Sequence, residues 1–298
     1  MFIGHVNELQ PGHWKTLAHY NSTKVLINNA GCYQIQNNIC PHQGSRIRAG
    51  NGVAANPVCP YHGWSWTKDG VPQGNGTVGH SLGTTACTNQ HPLTTKPASN
   101  WSGFLFDCNI PLDLDISGNY QLVEYRQDHI NASYIPIMDL FLDIDHIPLV
   151  HPKLYDLIDV PDVKNVSWQT WENGSIQLVT GRNNTSGDII RESDRRKQPY
   201  NAAWLAVYPY TMFEWQPGAV FVMVNEPISS NETVAHVYKY QDLDYESKQW
   251  AINSQVWETA WQQDKEQAER LEPGWSTTPT DHLDNEKIRY RNWITSHK

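Results

Sequence analysis

The sequence predicts an α+β fold in two parts, an all-β N-terminal domain at residues 1–112 and a second domain at residues 113–298. Two observations predict it. Short strand-like segments separated by loops rich in proline and glycine fill the first part, and strand-like segments followed by one amphipathic helix fill the second. A chain of 298 residues is long enough for two domains of ordinary size.

The composition limits the classes of binding partner and indicates a cellular compartment. A formal net charge of −9 argues against nucleic acid or an anionic membrane as the main partner. The longest apolar runs, such as 219–224, have the length of a strand, and the N-terminus lacks the basic start and apolar stretch of a signal peptide. Five cysteines without disulfide-like spacing predict a reducing, cytoplasmic compartment.

Two loops of the first part carry metal-ligand residues, "CPHQGS" at 40–45 and "CPYHGW" at 59–64. Cys40 and His42 are separated by one residue, and Cys59 and His62 by two. Such a set fits a structural zinc site or a Rieske-type [2Fe–2S] cluster, in which two cysteines bind one iron and two histidines the other. Zinc fingers usually take a cysteine pair and a histidine pair. Because each loop here supplies one of each, the pattern favours the iron–sulfur cluster.

The segment "CPH(x16)CPYHGWSW" resembles the Rieske domain of the Rieske non-heme iron oxygenases, of the ring-hydroxylating α-subunit type. The strand-like segment at 13–20 is similar to the opening of these domains. Rieske proteins of respiratory and photosynthetic membrane complexes carry an additional cysteine in each loop, which form a disulfide. Ser45 and Tyr61 stand at those positions here, which points to the oxygenase branch or to the soluble ferredoxins.

A second motif, "MDLFLDIDHIPLVHP" at 138–152, follows the first domain. Two histidines and one carboxylate on one face of an iron leave positions open for oxygen and substrate. Asp143 and His146 are three residues apart and would share a helical face. His146 and His151 are five apart, about 140° around an ideal helix, so a straight helix would separate them. Pro148 lies between them and predicts a kinked or widened backbone.

The segment "LDIDHIPLVHP" is similar to the mononuclear iron motif of the same oxygenases. The resemblance implies that His146 and His151 are iron ligands and that Asp143 is a bridge for electron transfer. One position departs from the family pattern. Members often have asparagine three residues before that aspartate, and Leu140 stands there in this chain, so no side-chain hydrogen bond can form at that place.

A third, carboxylate ligand is expected on a helix predicted over residues 245–272, followed by Pro273-Gly274. One carboxylate, Asp264, lies on the apolar stripe of that helix. A buried carboxylate is costly unless it is paired or bound to a metal. The stripe consists of Trp250, Trp257, Trp261, Asp264, Ala268 and Leu271. Glu258, Glu266 and Glu269 fall off the stripe and are expected to be solvated. The segment "QQDKEQAE" resembles the family segment that supplies the carboxylate, which implies that Asp264 is the ligand.

Six strand-like segments between 165 and 240 predict an antiparallel sheet, with the long helix across it and the metal between them. The resemblance implies the same arrangement, a helix-grip domain with a curved sheet. Four aromatic residues of these segments could line a substrate pocket or belong to the core, and the sequence does not separate the two. They are Trp204, Tyr208, Phe213 and Trp215.

The resemblance implies a terminal oxygenase component that forms a head-to-tail homotrimer. Electrons from NAD(P)H would pass through a separate reductase or ferredoxin to the [2Fe–2S] cluster and then to a mononuclear Fe(II), where O2 is used to hydroxylate a small organic substrate. Aromatic pocket residues favour an apolar or aromatic substrate. No glycine-rich phosphate-binding fingerprint occurs, so the nicotinamide is not expected to bind this chain. Two alternatives stay open, an electron carrier or sensor without turnover, and desaturation or oxidative dealkylation instead of hydroxylation.

Overall fold

A computed structural model describes residues 1–53, 55–73, 91–152, 166–179, 202–271 and 285–297. The chain divides into two units. One comprises Ile3–Ile110, and the other comprises Met1–Phe2 together with Pro111–Lys298. The first unit is built of strands and the second of one large sheet with helices, which confirms the predicted α+β class.

The first unit contains two antiparallel sheets. The five-stranded sheet has the order β5-β2-β3-β4-β6, and the three-stranded sheet has the order β1-β8-β7. Apolar side chains, among them Ile3, Leu26 and Leu105, form the core of this unit. The strands are β1 (Phe2–His5), β2 (His13–Thr16), β3 (Lys24–Asn29), β4 (Cys32–Asn37), β5 (Asn51–Val53), β6 (Thr95–Pro97), β7 (Ser99–Trp101) and β8 (Phe104–Phe106).

The sequence also predicts polar loops at residues 94–100 and 70–80, and the structure contradicts the first of these two predictions. Residues 94–100, expected to form a polar loop, contain β6 and the start of β7. Polar side chains on these short strands are exposed, so composition did not reveal them. The other expected loop, at 70–80, lies largely outside the described residues.

The second unit is organised around a seven-stranded antiparallel sheet of order β10-β11-β12-β13-β14-β15-β9. All six predicted strands are present. Its members are β9 (Tyr120–Ile130), β10 (Val166–Trp171), β11 (Gly174–Val179), β12 (Ala202–Val207), β13 (Thr211–Gln216), β14 (Ala219–Ser229) and β15 (Glu232–Asp242). The edge strand β9 was not predicted, although its side chains alternate between exposed and partly buried as in a half-covered strand.

The described part of this unit contains helices α1 (Tyr134–Phe141), α2 (Ile147–Val150), α3 (Ser247–Glu269) and α4 (Asn285–Ser296). Helix α3 is the predicted amphipathic helix, shorter by a few residues at each end, and Pro273-Gly274 lie outside the described residues. Trp257 and Trp261 of α3 are buried, and Trp257 stacks on Phe221 of β14 at 4.9 Å. Burial of an indole removes roughly 150–250 Å² from water, an upper-limit gain of about 4–6 kcal/mol, so these side chains fix the face that α3 presents to the sheet.

Helix α4 joins α1 through apolar packing and two ion pairs. Tyr290 of α4 is fully buried in the same core cluster as Ile137 and Met138 of α1. The next residue of α4, Arg291, pairs with Asp139 of α1. The second pair joins Lys287 to Asp143, two residues beyond the end of α1.

Candidate metal centres

The two cysteine–histidine loops have the same backbone structure. In each, the cysteine amide donates to the carbonyl five residues later, at 2.8 Å for Cys40 and 2.7 Å for Cys59. In each, the amide of a glycine four residues after the cysteine donates back to the cysteine carbonyl at 2.9 Å. Gly44 and Gly63 have φ angles of 73° and 74°, which glycine adopts most readily. The glycines of the motif therefore close two equivalent turns.

These turns place the cysteines inside and the histidines outside. Cys40 and Cys59 are each only 2% exposed, whereas His42 and His62 are exposed. The two imidazole rings lie 4.8 Å apart between centroids, and Trp64 stacks on His42 at 4.6 Å. Burial raises the pKa of the Cys40 thiol, so a bound cation is needed to stabilise its thiolate. An inner thiol pair with an outer imidazole pair fits the two irons of a Rieske cluster.

The spacing of the donor atoms also separates this site from a single-ion site. In the described parts of the chain, the one group of three or more ligand residues whose donor atoms lie within 4.8 Å of one another is His146, His151 and Asp264. The four loop residues do not form such a group. Donors spread more widely than one ion allows are compatible with a cluster of two irons and disfavour a mononuclear zinc site.

The second set of ligands comes from the two ends of α2 and from α3. His146 is the residue before α2 and His151 the residue after it, and Pro148 lies within its first turn. A four-residue helix brings two histidines five apart to one point without a long bent helix. Asp264 of α3 completes the set, with its Oδ1 3.3 Å from Nε2 of His146 and 3.0 Å from Nε2 of His151. The two Nε2 atoms are 3.2 Å apart.

The hydrogen bonds on the far sides of the rings show why a cation fits there. Nδ1 of His151 lies 2.8 Å from Oε1 of Gln263, and Nδ1 of His146 contacts the main-chain carbonyl of Asp143. Because each Nδ1 faces an acceptor, each Nε2 presents a lone pair to the centre of the set. Asp264 Oδ1 is buried, and no hydrogen-bond donor among the described residues satisfies it. Three electron-pair donors facing one another require a cation between them.

The electrostatics of Asp264 agree with this arrangement. Burial alone would raise the pKa of its carboxyl, but positive charge on protonated imidazoles of His146 and His151 outweighs burial and holds that pKa below the usual value, as a cation between the three residues would. Burial likewise opposes the charged form of His151, and Asp264 reverses this and raises the pKa of His151. The carboxylate is thus ionised at neutral pH, as a metal ligand must be.

Asp143 does not share a helical face with His146, although the sequence predicted that it would. It lies in the irregular segment between α1 and α2. Its Oδ2 accepts from Nζ of Lys287 at 2.6 Å, and its Oδ1 accepts from the amide of Asp145 at 2.9 Å. The contact with the His146 ring runs through the Asp143 carbonyl and not through its carboxylate. Sequence reasoning missed Lys287 because it is 144 residues away along the chain.

A cavity of about 120 Å³ opens beside the second ligand set. At about 30 Å³ per water molecule that volume holds about four waters, and a cavity only slightly larger, about 150 Å³, accepts a molecule of the size of benzene. It is lined by Leu140, Phe141, Asp143, His146, Ile147, His151, Trp204, Met212, Glu214, Met223, Val256, Trp257, Ala260, Trp261 and Asp264. Leu140, which stands where relatives often have asparagine, therefore forms part of the apolar wall.

Of the four predicted pocket residues, Trp204 lines this cavity and the other three do not. Phe213 and Trp215 point to the opposite face of β13 because side chains alternate along a strand. Tyr208 packs instead in the core against Tyr290, with ring centroids 5.0 Å apart. Sequence reasoning missed the two residues of β13 that line the cavity, Met212 and Glu214. Burial raises the pKa of the Glu214 carboxyl to about 7, and the neighbouring Asp264 contributes to the rise.

The acids of α3 that lie off the apolar stripe stay accessible to solvent, but two of them also have partners that the sequence did not predict. Glu258 accepts from Arg126 at 2.9 Å and from Lys239 at 2.7 Å, and Glu269 accepts from the Asn131 amide at 2.9 Å. Sequence periodicity placed them correctly away from the stripe, but their partners lie on other elements.

No helix in the described part of the chain combines the length and apolar character that a membrane crossing requires.

Two protein-family models match this chain. Residues 1–81 match the Rieske [2Fe-2S] domain family, and residues 120–288 match the catalytic domain of the ring-hydroxylating α subunit. The chain is 24% identical to putrescine 2-hydroxylase of Ralstonia nicotianae, over 92% of this chain and 79% of that protein. It is 22% identical to the carnitine monooxygenase oxygenase subunit of Acinetobacter baumannii, over 78% of this chain and 67% of that protein.

Solved structures share the fold. The quaternary ammonium Rieske monooxygenase CntA, in complex with an inhibitor, superposes with a TM-score of 0.70 at 18% identity, covering 100% of this chain and 87% of that one. Naphthalene 1,2-dioxygenase from Rhodococcus sp. gives a TM-score of 0.66 at 16% identity, covering 99% and 88%. The catalytic-domain match alone spans more than half of the sequence. The chain therefore belongs to the ring-hydroxylating oxygenase α-subunit family, as a terminal oxygenase that joins a Rieske [2Fe–2S] domain to a mononuclear iron domain.

Proposed function

We propose that this chain hydroxylates a small, nitrogen-containing aliphatic compound by monooxygenation. The observation that carries the proposal is the convergence of His146, His151 and Asp264 at the wall of an aromatic cavity large enough for a small substrate. The balanced reaction is R–H + O2 + NAD(P)H + H⁺ → R–OH + H2O + NAD(P)⁺. A separate reductase or ferredoxin supplies the two electrons one at a time, since this chain has no nicotinamide-binding fingerprint.

The ligand roles are proposals supported by the geometry. Cys40 and Cys59 would hold the inner iron of the cluster, with His42 and His62 on the outer iron. The triad would hold the mononuclear iron, which when bound supplies O2 activation at its open positions. The chain itself orients the imidazoles through Gln263 and the Asp143 carbonyl and presents the substrate on an apolar wall.

The substrate class comes from the named relatives together with the cavity. The relatives act on putrescine and on carnitine, and these are small aliphatic compounds that contain nitrogen. The apolar or aromatic character expected from sequence suits the carbon part of such a molecule, which would lie against Phe141, Trp204 and Met212. We propose this class for the substrate screen.

Hydroxylation at a carbon next to nitrogen has a second outcome. The resulting aminoalcohol breaks into an amine and an aldehyde, so oxidative dealkylation needs the same site and the same electrons. The product distinguishes the two, because hydroxylation adds one oxygen atom to the substrate and dealkylation removes an alkyl group.

We further propose a cytoplasmic homotrimer with domains at 1–112 and 113–298. In a head-to-tail ring, the cluster of one subunit would face the mononuclear iron of the next, which a heterologous, ring-closing interface allows. Asp143 would link His62 of one subunit to His146 of its neighbour. The Asp143 carboxylate already accepts a hydrogen bond from Lys287. To link the two imidazoles, this carboxylate would therefore accept from them at lone pairs that the ammonium group does not use.

The test is a substrate screen with a surrogate reductase, in which O2 and NADH consumption are coupled to product mass. Isotopically labelled O2 should place one labelled atom in a hydroxylated product, whereas dioxygenation would place two. Asp143→Ala should keep both metals and lose most turnover, with Asp145→Ala as a neighbouring control. Reduction of the cluster without O2 consumption, across amines and hydrocarbons alike, would favour an electron carrier and contradict the proposal.

A further inference from the structure

The lining of the cavity beside the triad is acidic. Three carboxylates reach it, Asp143, Asp264 and Glu214, and its described lining includes no lysine or arginine. Asp143 is paired with Lys287, and Asp264 faces the two imidazoles. Within the described ranges, no ammonium or guanidinium group pairs with Glu214. A partly buried carboxylate without a cationic partner is costly, so its presence at the cavity wall calls for a reason.

The position of Glu214 is set by the sheet. It lies opposite Trp204 in the register of β12 with β13, and alternation turns both side chains to the face that α3 covers. Trp257 and Trp261 of α3 also line the cavity. Indole rings present a negative π face that attracts cations. One carboxylate among three indoles is therefore an environment that suits a positively charged organic group.

A structural role explains Glu214 less well. The other acids on this side of the sheet have cationic partners. Glu124 and Glu258, for example, both pair with Arg126 and Lys239. Such networks satisfy buried charge within the protein. Glu214 departs from that pattern at the place where the cavity and the triad meet, which is where a ligand could supply the missing charge.

We propose that Glu214 binds a cationic nitrogen of the substrate, primary or quaternary, and so holds an adjacent carbon toward His146, His151 and Asp264. This deepens the proposed function and rests on it for the reaction, but the binding step requires no turnover. Glu214 then selects for charge, whereas the apolar residues of the cavity accept the carbon chain.

The test compares isosteres that differ in charge alone. The probes are putrescine against the diol of the same chain length, and choline against its neutral tert-butyl analogue, in which carbon replaces nitrogen. Binding to the iron-loaded protein is measured by calorimetry for wild type, Glu214→Gln, Glu214→Asp and Glu266→Gln. Glu266 is an exposed acid of α3, so its variant removes the same charge without touching the cavity.

At least one cation should bind wild type more tightly than its neutral isostere. Glu214→Gln should weaken the binding of that cation by roughly ten- to a hundredfold, the range of a charge-assisted hydrogen bond, and leave the binding of the neutral isostere unchanged. Glu214→Asp should recover part of the affinity, and Glu266→Gln should change neither.

Three results would overturn the inference: equal binding of cation and isostere to wild type, unchanged cation binding by Glu214→Gln, or no binding of either cation. Loss of mononuclear iron from Glu214→Gln, measured by metal analysis, would also overturn it by making Glu214 a ligand. Failure of the proposed function looks different, since cations would bind through Glu214 without being oxygenated. Conversely, if neutral compounds are oxygenated and Glu214→Gln has unchanged activity, the proposed oxygenase function holds and the proposed role of Glu214 is wrong.

Discussion

Removal of the Lys287 ammonium group should destabilise the catalytic unit, because it leaves the Asp143 carboxylate without its cationic partner. The two side chains are 11% and 21% exposed, and Nζ lies 2.6 Å from Oδ2. Loss of one member of a fully buried pair costs about 3–5 kcal/mol, whereas exposed pairs contribute about 0.2–1 kcal/mol. Water reaches one-fifth of the Asp143 side chain, and the Asp145 amide remains as a donor, so Lys287→Met should cost about 2 kcal/mol.

A loss of about 2 kcal/mol corresponds to a fall in melting temperature of about 4–8 °C for a unit of this size. Tryptophan fluorescence during heating reports mainly on the catalytic unit, which holds nine of the 13 tryptophans, and the visible absorbance of the cluster identifies the part of the signal that comes from the Rieske unit. Lys287→Arg retains the charge, so its melting temperature should fall by less than half as much as that of Lys287→Met. Lys248→Met, which removes an exposed lysine of α3, should have little effect.

A double-mutant cycle isolates the pair from other consequences of each change. Asp143→Asn combined with Lys287→Met removes both charges of this pair, so the double variant should be more stable than the sum of the single losses predicts. A melting temperature for Lys287→Met that matches Lys248→Met would refute the reasoning. So would strict additivity in the cycle.

Three further outcomes concern the metals and their communication. Asp264→Ala should lose the mononuclear iron and turnover but keep the Rieske spectrum. The control Glu266→Ala, on the same helix, should keep the iron, the turnover and the spectrum. Normal iron content in Asp264→Ala would show that another group is the ligand. The purified protein should contain three irons per chain, and Cys59→Ser should abolish the cluster absorbance; zinc without inorganic sulfide in wild type would contradict the Rieske site. Co-expressed His62→Ala and His146→Ala chains should recover part of the activity that each lacks alone, provided electrons cross between subunits. Mixed assemblies that stay inactive with both remaining sites loaded would exclude that route.

The sequence by itself determined the chemistry of both metal centres. Ligands that lie a few residues apart depend on local backbone structure, and the prolines and glycines that shape that structure are adjacent in the chain. This is why the two cysteine–histidine loops could be recognised as equivalent before Gly44 and Gly63 were seen to close identical turns. The helical period likewise singled out Asp264, since a carboxylate on a stripe of buried tryptophans needs a positive partner.

Only the tertiary structure decided what surrounds these ligands. Lys287 reaches Asp143 across 144 residues, and no local pattern marks such a pair. The side chains of β13 alternate between apolar and polar from Phe213 to Gln216, and this pattern by itself assigns Glu214 to a solvent-facing side of the sheet. Its aromatic residues, Phe213 and Trp215, were therefore predicted as pocket candidates, but the packing of α3 on the other face of the strand makes Met212 and Glu214 the residues of β13 that line the cavity. Spacing along the chain fixes which atoms can bind a metal, but the charge and shape of the space beside it arise only when distant elements pack together.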